Sequence, residues 1–187
     1  MLNIELGGGI YPREGYKNLD QLDCADHKID LEAVGAQRIS LPFDDQSVDN
    51  VYSSHCFEHL RYLKGLWHEM TRILKDGGTC EIRVPHWAQS MAMCVGHYHA
   101  LSEAGIIHLY EFADNWWDDN QRWLALERVQ YVPNINYQEA RECFPQLSPL
   151  QTIRFIQDTC HESRFIFKAC KRSDPQTIIH NLVREVM

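Results

Sequence analysis

The stretch LNIELGGG, residues 2–9, carries the strongest local signal of the fold, because a short stretch with three large apolar residues ends directly in three glycines. Its leucines and isoleucine predict a short, largely buried β-strand over residues 2–6. Gly7, Gly8 and Gly9 predict a tight turn immediately after it. We therefore expect a strand whose carboxyl end opens into a loop.

Further apolar segments predict an α/β fold. Strands are predicted at residues 16–19, 27–31, 48–53 and 80–84, and apolar residues at helical spacing predict one amphipathic helix over residues 56–74. Alternating strands and helices favour a mostly parallel sheet flanked by helices. Later segments predict a helix at 103–109, an antiparallel hairpin of residues 126–132 and 164–169 at the C-terminal edge, and a helix over 175–187.

The composition limits the classes of function. The 187 residues are enough for a single domain over residues 1–187, and the net charge of −8 disfavours nucleic acid as a partner. Seven cysteines without a C-x-x-C pair predict reduced thiols and a cytoplasmic location. Neither a signal peptide nor an apolar run long enough to span a membrane is predicted.

Polar residues and glycines follow several of the predicted strands. In open parallel sheets, ligands bind beyond the carboxyl ends of the strands. The residues that follow strands in this way, and that we therefore expect in one cleft, are Gly7, Gly8, Gly9, Asp20, Asp30, His55 and His86.

The segment SSHCFEHL, residues 53–60, also has the spacing of a zinc motif. His55 and His59 are four residues apart with Glu58 between them, as in a metallopeptidase helix. His55 directly follows a predicted strand, however, and no third protein ligand is evident. His97 and His99 offer a separate pair. We expect no metal, and a zinc metallopeptidase remains the weaker alternative.

The ordered set of motifs resembles a known family. ELGGG, YKNLD, KIDL, LPFDDQSVDNVYSSHCFEHL and LKDGGTCEIRVPH together are similar to class I S-adenosylmethionine-dependent methyltransferases, in particular a short group of type 11-like domains. The resemblance covers about residues 3–86 and implies a Rossmann-like sheet. It also implies a cofactor-binding half at residues 1–86 and an acceptor-side half with the late strands at residues 87–187.

The resemblance implies a set of cofactor-binding residues. It implies the glycine loop near the methionine portion and ribose of S-adenosylmethionine, an acid for the ribose hydroxyls after the second strand, and residues beside the adenine after the third. Carried onto this chain, the set is Glu5, Gly7, Gly8, Gly9, Asp20, Asp30, Leu31, Ser54 and His55. A glycine turn permits the close approach of backbone to ligand that a Cβ atom would block.

Methyl transfer to a hydroxyl or amine needs aligned reactants and sometimes a base. The candidate bases are His55, His86 and His99, with His97 paired to His99. The aromatic candidates for the wall of an acceptor pocket are Trp87, Tyr98, Trp116 and Trp117. The acceptor is expected to be a small molecule. A cofactor-binding subunit that has lost catalysis is a further alternative.

The chain departs from the family pattern after the glycine loop. The segment IYPREGYK, residues 10–17, contains Pro12 and Gly15 and leaves too little chain for the usual first helix. An irregular loop is predicted there instead.

Overall fold

The computed structural model describes residues 1–37, 39–113, 122–171 and 182–187. These residues form eight strands in one sheet, in the order β3-β2-β1-β4-β5-β7-β6-β8. The strands are β1 Asn3–Leu6, β2 Lys17–Asp20, β3 His27–Lys28, β4 Val48–Ser54, β5 Leu74–Pro85, β6 Arg122–Pro133, β7 Cys160–Lys171 and β8 Val183–Val186. The helices are α1 Leu31–Gln37, α2 Leu63–Ile73, α3 Glu103–Ala113, α4 Asn136–Cys143 and α5 Pro149–Phe155, with 3₁₀ turns at Phe57–His59 and Ser90–Met93.

The strands β1 to β5 are parallel, as predicted. Ile4 and Leu6 of β1 and Val51 of β4 are almost completely buried. Such continuous burial is typical of parallel strands, because elements cover both faces of the sheet. All five carboxyl ends consequently meet at one edge of the sheet.

Helix α2 carries the apolar stripe that the sequence predicts. Leu66, Met70 and Ile73 are fully buried, and the ring of Trp67 lies edge-on to Phe167 of β7 with 5.0 Å between centroids. These contacts hold α2 on the sheet, and an edge-to-face aromatic pair adds about 0.5–1.5 kcal/mol beyond the area it buries.

The predicted antiparallel pair of late strands is confirmed. Strand β7 runs antiparallel to both β5 and β6. Helices α4 and α5 stand between β6 and β7 along the chain, so the connection is longer than a tight hairpin. Strand β8 then pairs parallel with the outer side of β6.

The prediction of one helix over residues 56–74 is wrong at its start. His55 has a left-handed backbone with φ 52°, residues 57–59 form a 3₁₀ turn, and α2 begins only at Leu63. The carbonyl of Glu58, which a helix would pair four residues on, accepts a hydrogen bond of 2.7 Å from the backbone N–H of Tyr98 instead. A tertiary contact therefore replaces the first turns of the predicted helix.

Two other boundaries also differ from the sequence-based predictions. Strand β3 ends at Lys28, because the carboxylate of Asp30 accepts a hydrogen bond from the N–H of Glu32 and starts α1 at Leu31. The C-terminal helix is wrong for Val183–Val186, which form β8 against the exposed edge of β6. Residues 175–181 of that prediction lie outside the described residues.

The irregular loop between β1 and β2 is confirmed, since residues 7–16 contain turns and bends and no helix. Glu5 of β1 supports this loop from beneath, because its buried carboxylate accepts a hydrogen bond of 2.5 Å from the N–H of Arg13. In the described part of the chain, no helix has the length and apolar character needed to cross a membrane.

Candidate functional site

A cavity of about 540 Å³ opens at the carboxyl ends of β1, β2 and β4. Its size lies within the range of about 300–1,000 Å³ that is usual for small-molecule sites. The predicted cofactor-binding residues that line it are Gly7, Asp20, Asp30, Leu31 and His55. Four separate loops thus meet around one space, as the parallel sheet predicts.

The first wall of the cavity is the glycine loop, which packs directly on the segment after β4. Gly7 has φ 73°, and a Cβ atom there would lie 2.4 Å from the sulfur of Cys56. Its backbone N–H donates to the carbonyl of Leu19 at 2.8 Å, at the end of β2. Glycine suits both conditions, because side chains are disfavoured at a left-handed backbone and a Cβ atom would overlap the sulfur.

Side chains from β2 hold the rest of the loop. The amide of Asn18 accepts from the N–H of Gly8 at 3.0 Å and donates to the carbonyl of Gly9 at 3.0 Å. The carboxylate of Asp20 accepts from the N–H groups of Gly9 at 2.9 Å and Leu22 at 3.1 Å. A carboxylate has about four acceptor positions, so Asp20 holds the loop and keeps acceptor capacity toward the cavity.

The other predicted cofactor residues do not line the cavity. Glu5, Gly8, Gly9 and Ser54 are not among the residues that line the cavity. Glu5 and the backbone of Gly8 and Gly9 are engaged in hydrogen bonds that shape the loop. Ser54 is the last residue of β4 and half-buried.

His55 lines the cavity and lies between two carboxylates. Its Nε2 is 3.1 Å from Glu162 of β7 and its Nδ1 is 3.4 Å from Glu58. These two partners, Glu162 first, raise the pKa of His55 to about 9. Burial alone would raise the pKa of Glu162, but the hydrogen bonds from His55 and Arg164 lower it to about 2. The pair is therefore an imidazolium beside a carboxylate at neutral pH.

The two other candidate bases lie apart from this cavity. His86 is 1% exposed, burial lowers its pKa to about 4, and its Nε2 has no hydrogen-bond partner among the described residues. His99 is half-buried, with Nε2 3.3 Å from the carbonyl of Arg61, and it lines a second cavity of about 530 Å³. The structure therefore brings only His55 of the three to the cofactor-side cavity.

Arg61 and Tyr98 line both cavities. The guanidinium of Arg61 donates to the hydroxyl of Tyr98 at 2.8 Å and lies 4.6 Å from its ring centroid. Tyr98 was among the aromatic candidates for an acceptor wall, and Trp116 and Trp117 lie outside the described residues. Sequence reasoning missed Arg61, because nothing in the sequence links it to a segment that follows it by more than thirty residues.

The geometry of the alternative zinc motif does not form, since His55 and His59 do not share a helix. A different group of potential metal ligands does form. Ligand atoms of Glu58, His59 and His97 lie within 4.8 Å of one another. Sequence reasoning noted each residue but not the combination, because His97 reaches the turn only through the fold.

The sequence comparison places a methyltransferase model on the cofactor half. Residues 16–82 match the family model described as a methyltransferase domain. The sheet order and the cavity agree with this match, and the resemblance of the sequence is confirmed. The match covers less than half of the chain, so it shows a similarity to class I S-adenosylmethionine-dependent methyltransferases over these residues. No curated protein matches the chain in sequence.

Solved structures of such methyltransferases share the fold at low sequence identity. A S-adenosylmethionine-dependent methyltransferase from Mesorhizobium loti is 14% identical, with a TM-score of 0.55 over 89% of this chain and 90% of that one. One from Archaeoglobus fulgidus is 13% identical, with a TM-score of 0.56 over 88% and 84%. A Haloferax volcanii complex of the Trm112 methyltransferase activator and a putative methyltransferase matches at 19% identity, with a TM-score of 0.54 over 92% and 83%.

Proposed function

We propose that this protein binds S-adenosylmethionine in the cofactor-side cavity and transfers its methyl group to a small-molecule acceptor. The observation that carries the proposal is the meeting of Gly7, Asp20, Asp30 and Leu31 around one cavity of about 540 Å³. The family model supports methyl transfer in general, and the assignment of individual residues is ours.

The donor set of the cavity suits this cofactor. Asp20 has spare acceptor capacity for ribose hydroxyls, and Ile29 and Leu31 supply apolar surface for the adenine. Gly7 brings backbone close to the ligand without a side chain. Bound S-adenosylmethionine supplies an electrophilic methyl group, and the chain has to orient the acceptor against it.

Orientation is the main contribution that the chain's own residues can make, worth up to about 7–11 kcal/mol in well-aligned reactions. Both ring nitrogens of His55 are directed at carboxylates. We therefore assign His55 to holding the floor of the cavity, as a hydrogen-bond donor between β4 and β7, and not to accepting a proton. His86 and His99 remain proposed bases, and each could act only on an acceptor that reaches its ring.

We propose that the acceptor enters through the second cavity. That cavity of about 530 Å³ shares Arg61 and Tyr98 with the cofactor side, and residues 98–108 supply much of its lining. This supports the division into a cofactor half at residues 1–86 and an acceptor half at 87–187. The mixed polar and apolar lining suits a small metabolite.

A cytoplasmic location is part of the proposal. Six cysteines, Cys24, Cys56, Cys80, Cys94, Cys143 and Cys160, are free thiols among the described residues. Free thiols of this number agree with a reducing compartment.

A non-catalytic cofactor-binding subunit is the second candidate. Two observations favour this candidate. Of the candidate bases, His55 is paired with a carboxylate, His86 is buried, and His99 does not line the cofactor-side cavity. In addition, one structural neighbour is a complex with an activator protein. Turnover of radiolabelled S-adenosylmethionine with a panel of small acceptors, with and without candidate activator proteins, separates the two functions. Methyl transfer to any acceptor excludes the non-catalytic subunit.

Calorimetric titration with S-adenosylmethionine and S-adenosylhomocysteine tests cofactor binding. We expect wild-type protein to bind both, and Asp20→Ala to bind about tenfold more weakly or worse, because charge-assisted hydrogen bonds are lost. Asp23→Ala is the matched control, since Asp23 is exposed and pairs with Lys28 alone in the part of the chain that the structure describes. Absence of binding by the wild type contradicts the function, and unchanged affinity in a folded Asp20→Ala variant contradicts the ribose assignment.

A further inference from the structure

The carboxylate of Glu58 is the most unusual polar group beside the cavity. Glu58 is only 1% exposed, and neither of its oxygens accepts a hydrogen bond from any described residue. Among the described residues, its one ion-pair neighbour is Nδ1 of His55, 3.4 Å from Oε1. Burying a carboxylate without hydrogen bonds is unfavourable unless a cation compensates it. Oε2 in particular lacks such a partner.

Two imidazoles accompany this carboxylate. Ligand atoms of Glu58, His59 and His97 lie within 4.8 Å of one another, and the two rings meet edge to face with centroids 4.6 Å apart. Nδ1 of His97 is also buried without a hydrogen-bond partner among the described residues. A buried acceptor and a buried imidazole nitrogen are thus both unsatisfied at the same place.

The orientation of His59 fits that of a metal ligand. Its Nδ1 donates to the carbonyl of Gly96 at 3.1 Å, which leaves the lone pair on Nε2. Ligating histidines usually donate their other ring N–H to a carbonyl or carboxylate in this way. Two ligands bonded at about 2.1 Å to one ion are at most about 4.2 Å apart, so closure needs side-chain shifts below about 1 Å.

We propose that Glu58, His59 and His97 bind one divalent transition-metal ion, which clamps residues 95–99 onto the turn Phe57–His59. Two imidazoles and one carboxylate suit zinc and its first-row neighbours, whereas Mg²⁺ and Ca²⁺ prefer oxygen ligands. This proposal differs from our sequence-based expectation, which was that no metal binds. The sequence paired His55 with His59 and offered no third ligand. The third ligand comes from a segment that the fold brings to the turn.

The site bears on the cavity through its neighbours. The N–H of Tyr98 already donates to the carbonyl of Glu58 at 2.7 Å, and both His59 and Tyr98 line the cofactor-side cavity. A metal held by His97 keeps Tyr98, the next residue, in the wall that the two cavities share. The proposal concerns metal binding and local order, and it stands or falls independently of methyl transfer.

Zinc titration of the full chain tests the site. Protein stripped with EDTA and dialysed is titrated calorimetrically with ZnCl₂, and zinc retained after gel filtration is measured by mass spectrometry. We expect one equivalent to bind with micromolar affinity or better and to raise Tm, whereas MgCl₂ produces no such effect. Absence of stoichiometric zinc binding by the wild type overturns the proposal.

Matched variants identify the ligands. Glu58→Gln, His59→Ala and His97→Ala are each expected to weaken zinc binding at least about tenfold. His99→Ala is the control, because it removes an imidazole only two residues away that is outside the group. Circular dichroism in EDTA establishes which variants fold, and three independent ligand variants keep the test decisive. Wild-type affinity in a folded ligand variant, or loss of binding in His99→Ala, overturns the assignment.

Hydrogen exchange tests the clamp itself. Zinc is expected to slow amide exchange at residues 95–99 in the wild type and in His99→Ala, and to leave it unchanged in His97→Ala. Equal exchange with and without bound zinc in the wild type overturns the clamping role.

Discussion

The two ends of the sheet are built differently. At the β3-β2-β1 end, the strands have only two to four residues, and side chains of Asn18 and Asp20 hold the backbone of the following loops. At the other end, β6 and β7 have 12 residues each and pair along almost their whole length. Short strands leave chain for a cavity wall, whereas long paired strands bury apolar surface.

The difference extends to the charged groups. The carboxylate of Asp20 bonds to backbone N–H groups beside the cavity and stays accessible to a ligand. Glu103, near the far end, bonds to Arg184 of β8 and Tyr131 of β6 and lies near Arg154 of α5. One acid shapes a binding loop and the other fastens the edge strand. We therefore expect changes at the two ends to separate ligand affinity from stability.

The largest expected effect is on the core of the long strands. Phe167→Ala removes a fully buried ring that packs against Trp67, and it should lower the free energy of unfolding by about 3–5 kcal/mol. Urea denaturation followed by circular dichroism measures this change. Because Phe167 does not line the cofactor-side cavity, affinity of the folded protein for S-adenosylhomocysteine should stay within about twofold.

Phe155→Ala is the control for this variant, since Phe155 is 68% exposed and its loss should change stability little. A tenfold loss of cofactor affinity in folded Phe167→Ala would show that the two ends of the sheet are energetically coupled and do not separate affinity from stability.

A smaller effect on the free energy of unfolding is expected at Glu103. Burial alone would raise the pKa of Glu103, but hydrogen bonds from Arg184 and Tyr131 lower it below its ordinary value. Its stabilising contribution is therefore fully present above the unfolded-state pKa of about 4.3 and disappears as the pH falls through the lowered folded-state pKa. Glu103→Gln should lower the free energy of unfolding at pH 7 by about 1–3 kcal/mol.

Urea unfolding of Glu103→Gln and of the wild type, measured at several pH values from 7 down to the lowest pH at which both still fold, checks this direction. The difference between their free energies of unfolding should become smaller as the pH falls. Glu139→Gln, at an exposed position of α4, is the control and should follow the wild type. A difference that grows toward acid pH contradicts the direction assigned to Glu103.

The smallest expected effect on stability comes from Gly9 in the glycine loop. Gly7 and Gly9 both have positive φ, but a Cβ atom at Gly7 would overlap Cys56, whereas one at Gly9 would meet nothing within 4 Å. Backbone strain should cost each alanine variant about 1–2 kcal/mol, and the overlap with Cys56 should add to this loss in Gly7→Ala. Gly7→Ala should additionally bind S-adenosylhomocysteine at least about fivefold more weakly, because Cys56 and Gly7 line the same cavity.

Thermal unfolding and calorimetry of the two variants measure these changes side by side. Equal cofactor affinity in folded Gly7→Ala and Gly9→Ala would show that the close approach of Gly7 to Cys56 does not affect cofactor binding.

The sequence by itself determined the parallel half and the edge of the sheet where the site lies. Short strands need large apolar residues, and the loops after them need glycine and short acids, so LNIELGGG, Asp20 and Asp30 carry a local signal. The irregular loop after Gly9 was also predictable, because Pro12, Gly15 and the short spacing exclude a helix. These features depend on residues that are close in the chain.

Only the tertiary structure decided where α2 begins, that residues 183–186 form a strand, and which histidines meet. Each outcome depends on a partner far along the chain: Tyr98 for the carbonyl of Glu58, β6 for β8, and His97 for the pair Glu58 and His59. Periodicity and spacing describe neighbours in sequence, whereas an unpaired carbonyl, a free strand edge or a buried carboxylate is satisfied by whatever the fold brings beside it.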